Sequence, residues 1–254
     1  NGWKPDEYQK KKVGFEWVTM GPKLTSTSLA AFGPEGLLID EFYTLRARKA
    51  VIEGWLTKQV DGRIHGNMWT CGTPTFRCRH EVIVNLPGSD AIWGREIREL
   101  LTADEGTIIV GADSSGNQLR GLCHYVRNDE FTKEVIFGDQ HQRNADSLGC
   151  SRAVAKSYLY AYLFGAGDAK LGQVLTGKAN AAVGKKSRAD FAKGIKGLTE
   201  LKDKLSKVWK NTRFGGGEGK IPGLDGRPIY VASDHQALNY LLQSAEGITC
   251  KAAV

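Results

Sequence analysis

The chain has 254 residues, 41% of them hydrophobic, and a formal net charge of +7. That length and apolar content can bury a core, which excludes disorder over most of the chain. The basic balance favours a polyanionic partner, either nucleic acid or an anionic membrane surface, but no apolar run approaches the roughly 18 residues that cross a bilayer.

Residues 1–36 are only weakly periodic, and loop with short helix is expected there. The stretch Asn1-Gly2-Trp3-Lys4-Pro5 has no initiator Met and no signal-peptide core. Residues 37–56 show helical spacing through Leu38, Phe42, Leu45, Ala50 and Ile52. Val60-Asp61-Gly62-Arg63-Ile64 predicts a hairpin, because Asp-Gly suits a turn with positive φ. Residues 66–93 read as short strands and turns. His65, Cys71, Cys78 and His80 lie close together there, without the tight cysteine pair of a zinc module. Five cysteines, an odd count, argue for a reducing cytoplasm rather than a disulfide framework.

The apolar, β-branched run Thr107-Ile108-Ile109-Val110-Gly111-Ala112 predicts a buried strand ending at Asp113. Residues 117–125 resume helical spacing. Ser151 is a suitable N-cap for a helix over 152–164, and Gly165 a suitable stop. Residues 184–210 read as a further Lys-rich helical region and 214–220 as a flexible loop. Leu224-Asp225-Gly226-Arg227 opens a second hairpin, and residues 237–254 read as a helix that Val254 breaks off. Both ends suggest a fragment.

Two Gly-rich segments carry no phosphate-binding signal. Gly165-Ala166-Gly167 has its next glycine at Gly172, and Gly219-Lys220 lacks the hydroxyl residue of a phosphate loop. Asp113 is better placed, since a carboxylate at a strand end can hold a hard cation with the Ser114 carbonyl beside it; a turn former is the bland alternative. Arg152, Lys156, Tyr160 and Phe164 recur every four residues. Each step advances about 40° around a helix, so the four share one stripe. Its cations suit phosphates and its rings suit a sugar or base; snorkelling side chains on an amphipathic helix are the alternative.

These segments are ordered like the motifs of one family. Asp113-Ser114-Ser115-Gly116-Asn117-Gln118-Leu119-Arg120 resembles motif A of the family A, DNA polymerase I-like DNA polymerases. Arg152, Lys156, Tyr160, Phe164 and Gly165 resemble motif B, and Gly138-Asp139-Gln140-His141 resembles the Gly-Asp-Ile-His between them. Thr75-Phe76-Arg77, Asn85-Leu86-Pro87 and Gly94-Arg95-Glu96-Ile97-Arg98 resemble upstream segments of the family. Gly223-Leu224-Asp225-Gly226-Arg227 and the run from Ala237 through Asn239 and Gln243 to Ala245 are similar to the T-odd podovirus branch. The pattern departs at Gln118, where Glu is usual, at Phe76, where Gly is usual, and at Phe164 in place of Tyr. The His-Asp-Glu of motif C is absent, Asp234-His235 being no substitute, and so is the Asp-x-Glu of a proofreading exonuclease.

The resemblance implies an α+β fold, an incomplete polymerase right hand. Residues 1–60 would be thumb base or connection, 61–139 palm with an antiparallel strand carrying Asp113, 140–222 helical fingers, and 223–254 a truncated palm hairpin and helix. It implies template-directed DNA synthesis from dNTPs on primer-template DNA, with two magnesium ions, in the cytoplasm of an infected bacterial host and with a host or phage processivity factor. Asp113 and Ser114 would hold metal, and Asp113 and Lys156 would be catalytic. Ser114, Gln118, His141, Arg152, Lys156 and Tyr160 would bind nucleotide, and Arg77, Arg95, Arg98, Phe164, Arg227, Asn239 and Gln243 would touch DNA. The missing carboxylate leaves two other readings: a non-catalytic DNA-binding remnant, or the N-terminal part of a split polymerase completed by a second chain.

Overall fold

The computed structural model describes residues 8–14, 16–215 and 217–253. The readings of residues 1–5 and of Val254 lie outside them. The chain divides into two units, one of residues 1–67 and 80–110, the other of residues 68–79 and 111–254.

In the first unit, β1 (Tyr8–Val13) and β2 (Glu16–Pro22) form an antiparallel hairpin beside Gly14, whose φ of +64° suits glycine. This ribbon replaces the loop expected before residue 36. Helix α1 (Ser26–Ala30) opens with a reciprocal capping box between Thr25 and Ser28. The predicted helix over 37–56 is α2 (Pro34–Lys58), begun by a proline that needs no intrahelical partner for its nitrogen. Its Trp55 ring is buried, and the indole N–H donates to Val82 O at 2.9 Å. The predicted Asp-Gly hairpin joins β3 (Gln59–Val60) to β4 (Arg63–Ile64); Asp61 and Gly62 both take positive φ. The strands β5 (Asn67–Trp69) and β6 (Arg79–Glu81) lie where the chain passes between units. Helix α3 (Gly94–Glu99) follows, with Ile97 buried and Gly94 set against the carbonyl of Gly88.

The expected buried strand over 107–112 is not formed. These residues are irregular, and Ile108, Ile109 and Val110 are 83%, 66% and 81% exposed. A strand exists through a ladder to its neighbour, and among the described residues no strand lies beside this run. Asp113 and Ser114 therefore sit on exposed, irregular chain and not at a strand end.

The second unit is mainly helical: α4 (Asn117–Val126), α5 (Asp129–Phe137), α6 (Gln140–Leu148), α7 (Arg152–Leu163), α8 (Asp168–Thr176), α9 (Ala181–Gly194), α10 (Leu198–Thr212) and α11 (Ala237–Ala252). Its core joins Leu122 of α4, Tyr158, Leu159 and Leu163 of α7, Leu171 of α8, Leu198 of α10 and Leu242 of α11, all under 2% exposed. The single helical region expected over 184–210 is split at Gly197, φ +88°, between α9 and α10. The loop expected to reach 220 ends earlier, because β7 (Gly219–Pro222) pairs antiparallel with β8 (Pro228–Val231) through the predicted turn. Their inward residues Ile221, Ile229 and Val231 are buried, and the Trp209 indole donates to Val231 O at 2.7 Å. Helices α8 and α9 pack closely because Gly172 faces the carbonyl of Asn180 and Gly184 that of Asp168.

Candidate functional site

The helix pair α6–α7 gathers part of the expected set. Ser151 caps α7 by accepting from Val154 N–H, and Gly165 at φ +77° ends it. Gly165 has little room, since a Cβ there would lie 2.6 Å from the His235 carbonyl oxygen. Asp139 caps α6: its Oδ1 accepts from the backbone N–H of His141 and of Gln142, each at 3.1 Å. Its other oxygen, Oδ2, accepts a hydrogen bond from Arg152 Nε–H at 2.7 Å. One carboxylate thus joins the start of α6 to the start of α7.

Along the α7 stripe, the Tyr160 ring lies 6.2 Å from the His141 ring and 6.0 Å from the Phe164 ring, tilted against both. Arg152 and Lys156 are exposed on the same side, Tyr160 is half-buried, and Phe164 is 43% exposed. Burial, and then the charges of Arg152 and Lys156, hold the His141 pKa below the ordinary imidazole value. Its Nδ1 is buried without a partner. His141, Arg152, Lys156, Tyr160 and Phe164 therefore form one surface with two exposed cations and three rings, of which Phe164 is the most open, suited to an anion carrying a ring system.

A second group surrounds α11. Gln243 accepts from the Thr75 hydroxyl at 3.4 Å and donates to Asn239 Oδ1 at 2.8 Å. Lys251 donates to Phe76 O at 2.7 Å, and the Arg227 guanidinium lies 4.5 Å over the Phe76 ring while pairing with Asp225. Arg77 reaches Glu246 at 3.8 Å, and Glu246 also accepts from Gln118 Nε2 at 3.1 Å. Asn239 and Gln243 thus lie on α11, Gln118 and Arg77 reach it through Glu246, and Arg227 stands on the Phe76 segment that Lys251 holds. Glu246 is the member that sequence reasoning missed; its partners lie far away in sequence, and only the departure at 118 pointed to a change nearby.

Arg95 and Arg98 belong to the other unit. Arg95 is exposed, whereas Arg98 donates to Pro87 O at 2.6 Å and to Leu86 O at 3.5 Å, holding that loop. At the foot of α7, the second unit also holds a cavity of about 760 Å³ lined by Gly165–Gly167, Arg188, Lys202, Asp234 and His235 among others. Burial, and then Arg188, lower the Lys202 pKa.

The metal expectation fares differently. Asp113 offers one exposed carboxylate, and among the described residues no three His, Cys, Asp or Glu side chains are grouped to hold an ion. Two divalent cations need a cage of oxygen ligands. The described residues present do not form it. Among the described residues, no helix is long and apolar enough to cross a membrane.

No family model matches the chain. The DNA-directed DNA polymerase of Escherichia phage T7 is 32% identical over 214 residues, covering 75% of this chain and 30% of that protein, and the enzyme of Enterobacteria phage T3 gives the same figures. The DNA-directed DNA polymerase of Escherichia phage Phieco32 is 26% identical over 332 aligned residues, 94% of this chain and 52% of that one. Among solved structures, the POL domain of Pol1 from M. smegmatis, in complex with DNA primer-template and dNTP, superposes with a TM-score of 0.74 at 19% identity. It matches 98% of this chain and 47% of that one, a likeness of fold. The chain spans about a third to a half of the length of these relatives.

Proposed function

Given that the chain is a homologue of the phage DNA polymerases, of the family A type and partial in length, we propose that it forms the nucleotide-gripping fingers and part of the palm in template-directed DNA synthesis. The observation that carries this reading is the joint surface of His141, Arg152, Lys156, Tyr160 and Phe164 on α6 and α7. Arg152 and Lys156 would hold the triphosphate of a dNTP, with His141 beside them. Tyr160 would stack on its sugar and Phe164 near the templating base. Phosphoryl transfer asks mainly for such positioning and charge neutralisation. Lys156 is also the group that could give a proton to the departing pyrophosphate.

Around α11, Asn239, Gln243, Arg77 and Arg227 would touch primer-template DNA; Arg95 and Arg98, in the first unit, would each be DNA contacts in their own right. Asn and Gln can read minor-groove acceptors common to all base pairs, and so sense pair geometry rather than sequence. In this reading, residues 140–222 are fingers, 61–139 and 223–254 palm, and 1–60 thumb base. Two magnesium ions would need Asp113 together with a carboxylate supplied from outside residues 1–254. The exposed apolar run beside Asp113 favours such completion by another segment, whether on the same polypeptide or a second one. The setting is the cytoplasm of an infected bacterium.

The test is fluorescence anisotropy of a labelled primer-template titrated with the chain across a salt series. Binding should weaken linearly on a log–log plot as phosphate contacts release counterions; a flat plot overturns the nucleic-acid reading. In the complete polymerase, Asp113→Ala should abolish extension while leaving primer-template binding intact. Near-normal turnover would remove Asp113 from the chemistry.

A further inference from the structure

Lys202 of α10 stands on the wall of the cavity at the foot of α7, and it is not placed like a surface lysine. The side chain is half-buried. Its Nζ donates to the Tyr162 hydroxyl at 3.5 Å and lies 4.8 Å over the Tyr162 ring, itself 2% exposed. Among the described residues it forms no ion pair. Two nearby carboxylates are otherwise engaged: Asp168 accepts from Arg188 at 2.6 Å, and Asp234 from the Ser206 hydroxyl at 2.9 Å. Burial, and then the Arg188 charge, lower the Lys202 pKa, outweighing the upward pull of Asp203 and Asp234. Removal from water and a second cation nearby are the two devices that turn a lysine into a nucleophile.

We propose that this cavity is a carbonyl-binding site: the neutral Nζ of Lys202 adds to the aldehyde of a small ligand that carries an anionic group, and the two form an imine. The bond made is the C=N bond to Nζ. The carbonyl oxygen leaves as water with the two protons of the amine, so no oxidant or reductant enters. Asp234 and His235 line the same cavity and can carry those protons. The anionic end of the ligand has a holder as well. Arg188 commits Nε–H to Asp168 and one terminal nitrogen to the Ala166 carbonyl, which leaves further donors of its five for a ligand. The volume of about 760 Å³ is that of a site for a small organic molecule. None of the residues invoked here is assigned to nucleotide or to DNA, so the site stands apart from the polymerase reading.

The test treats the chain at neutral pH with pyridoxal 5′-phosphate, an aldehyde that carries a phosphate. Borohydride then reduces any imine to a stable amine, and peptide mass mapping locates the label. Lys202 should be labelled several times faster than Lys204 and Lys207, which are exposed on the same helix. Pyridoxal, which lacks the phosphate, should label Lys202 more slowly. Lys202→Arg keeps the charge and removes the nucleophilic amine; it should lose the fast label while its circular dichroism stays that of the wild type. A further measurement needs no variant. In denaturant the preference for Lys202 over Lys204 should vanish together with the cavity. Label spread evenly over the lysines of the native chain, a fast label that persists in the folded Lys202→Arg chain, or a preference that survives unfolding would each overturn the proposal. Equal rates with pyridoxal and its phosphate would overturn the role given to Arg188.

Discussion

Asp139 holds Arg152 across two helices: the carboxylate that caps α6 with Oδ1 binds the guanidinium at the head of α7 with Oδ2, at 2.7 Å. Arg152, first, and the capped N–H groups hold the Asp139 pKa below the usual carboxylate range. In the proposed site, this carboxylate competes with a triphosphate for the same cation. Asp139→Asn keeps an oxygen for the cap and releases Arg152. It should leave the melting temperature near wild type and tighten triphosphate binding by up to about fivefold, the scale of a screened surface pair. Asp139→Ala loses the cap as well and should melt earlier. Calorimetry with a non-hydrolysable triphosphate and thermal unfolding check both. Weaker binding by the folded Asn variant would mean that Asp139 orients Arg152 rather than restrains it.

His141 gives a pH signature. Its depressed pKa means that the unfolded chain binds the proton more readily than the folded one, so this group's contribution to stability rises with pH through the window between the two values and stays at its lower level beneath that window. A triphosphate works in the opposite sense, because an anion beside the ring favours imidazolium. Nucleotide binding should therefore take up a proton and strengthen as pH falls toward the ordinary imidazole range. Titration calorimetry in buffers of different ionisation enthalpy measures that uptake. His141→Gln should abolish it, and an unchanged uptake in that variant would place the titrating group elsewhere.

The site helices were legible in the sequence where local chemistry decides the outcome. The four-residue stripe, the Ser151 cap and the Asp61-Gly62 turn all depend on neighbours within one or two turns of chain, and each formed as read. The run over 107–112 did not, because a strand is a property of two segments and its own composition supplies only one. The hairpin β1–β2 escaped notice for the complementary reason: Tyr8-Gln9-Lys10-Lys11-Lys12-Val13 shows no apolar alternation, yet its backbone pairs. Residues 184–210 read as one helical region because lysines recur on both sides of Gly197, whereas the positive φ of that glycine ends the first helix before the second begins. The Gln118–Glu246 bond joins positions 128 residues apart, and no local pattern encodes it.

The exposed run offers a direct check on burial. Ile108 and Val110 bury almost nothing, so Ile108→Glu with Val110→Lys should change unfolding free energy by less than about 0.5 kcal/mol, as for other surface sites. The same pair should reduce self-association in sedimentation, since unpaired apolar segments recruit one another. A large loss of stability would show that the run is covered in solution.

Gly184 reverses the usual expectation for a helical glycine. Ala normally favours a helix interior by about 1 kcal/mol, but here a Cβ would overlap the carbonyl of Asp168 on α8. Gly184→Ala should destabilise the chain by about 1–3 kcal/mol, the cost of overpacking, read from the denaturant midpoint. A gain in stability would mean that α8 and α9 are further apart than described.

The packing of α11 against α4 also sets a timetable for synthesis. Gly121 of α4 lies under Leu242 and Ala245 of α11, so a helix made early waits for a partner translated more than a hundred residues later. Contacts of that separation are slow to close. While the ribosome works through the intervening helices, the Gly121 face of α4 lacks its α11 cover and is open to chaperones, and the pair completes only once α11 has left the exit tunnel.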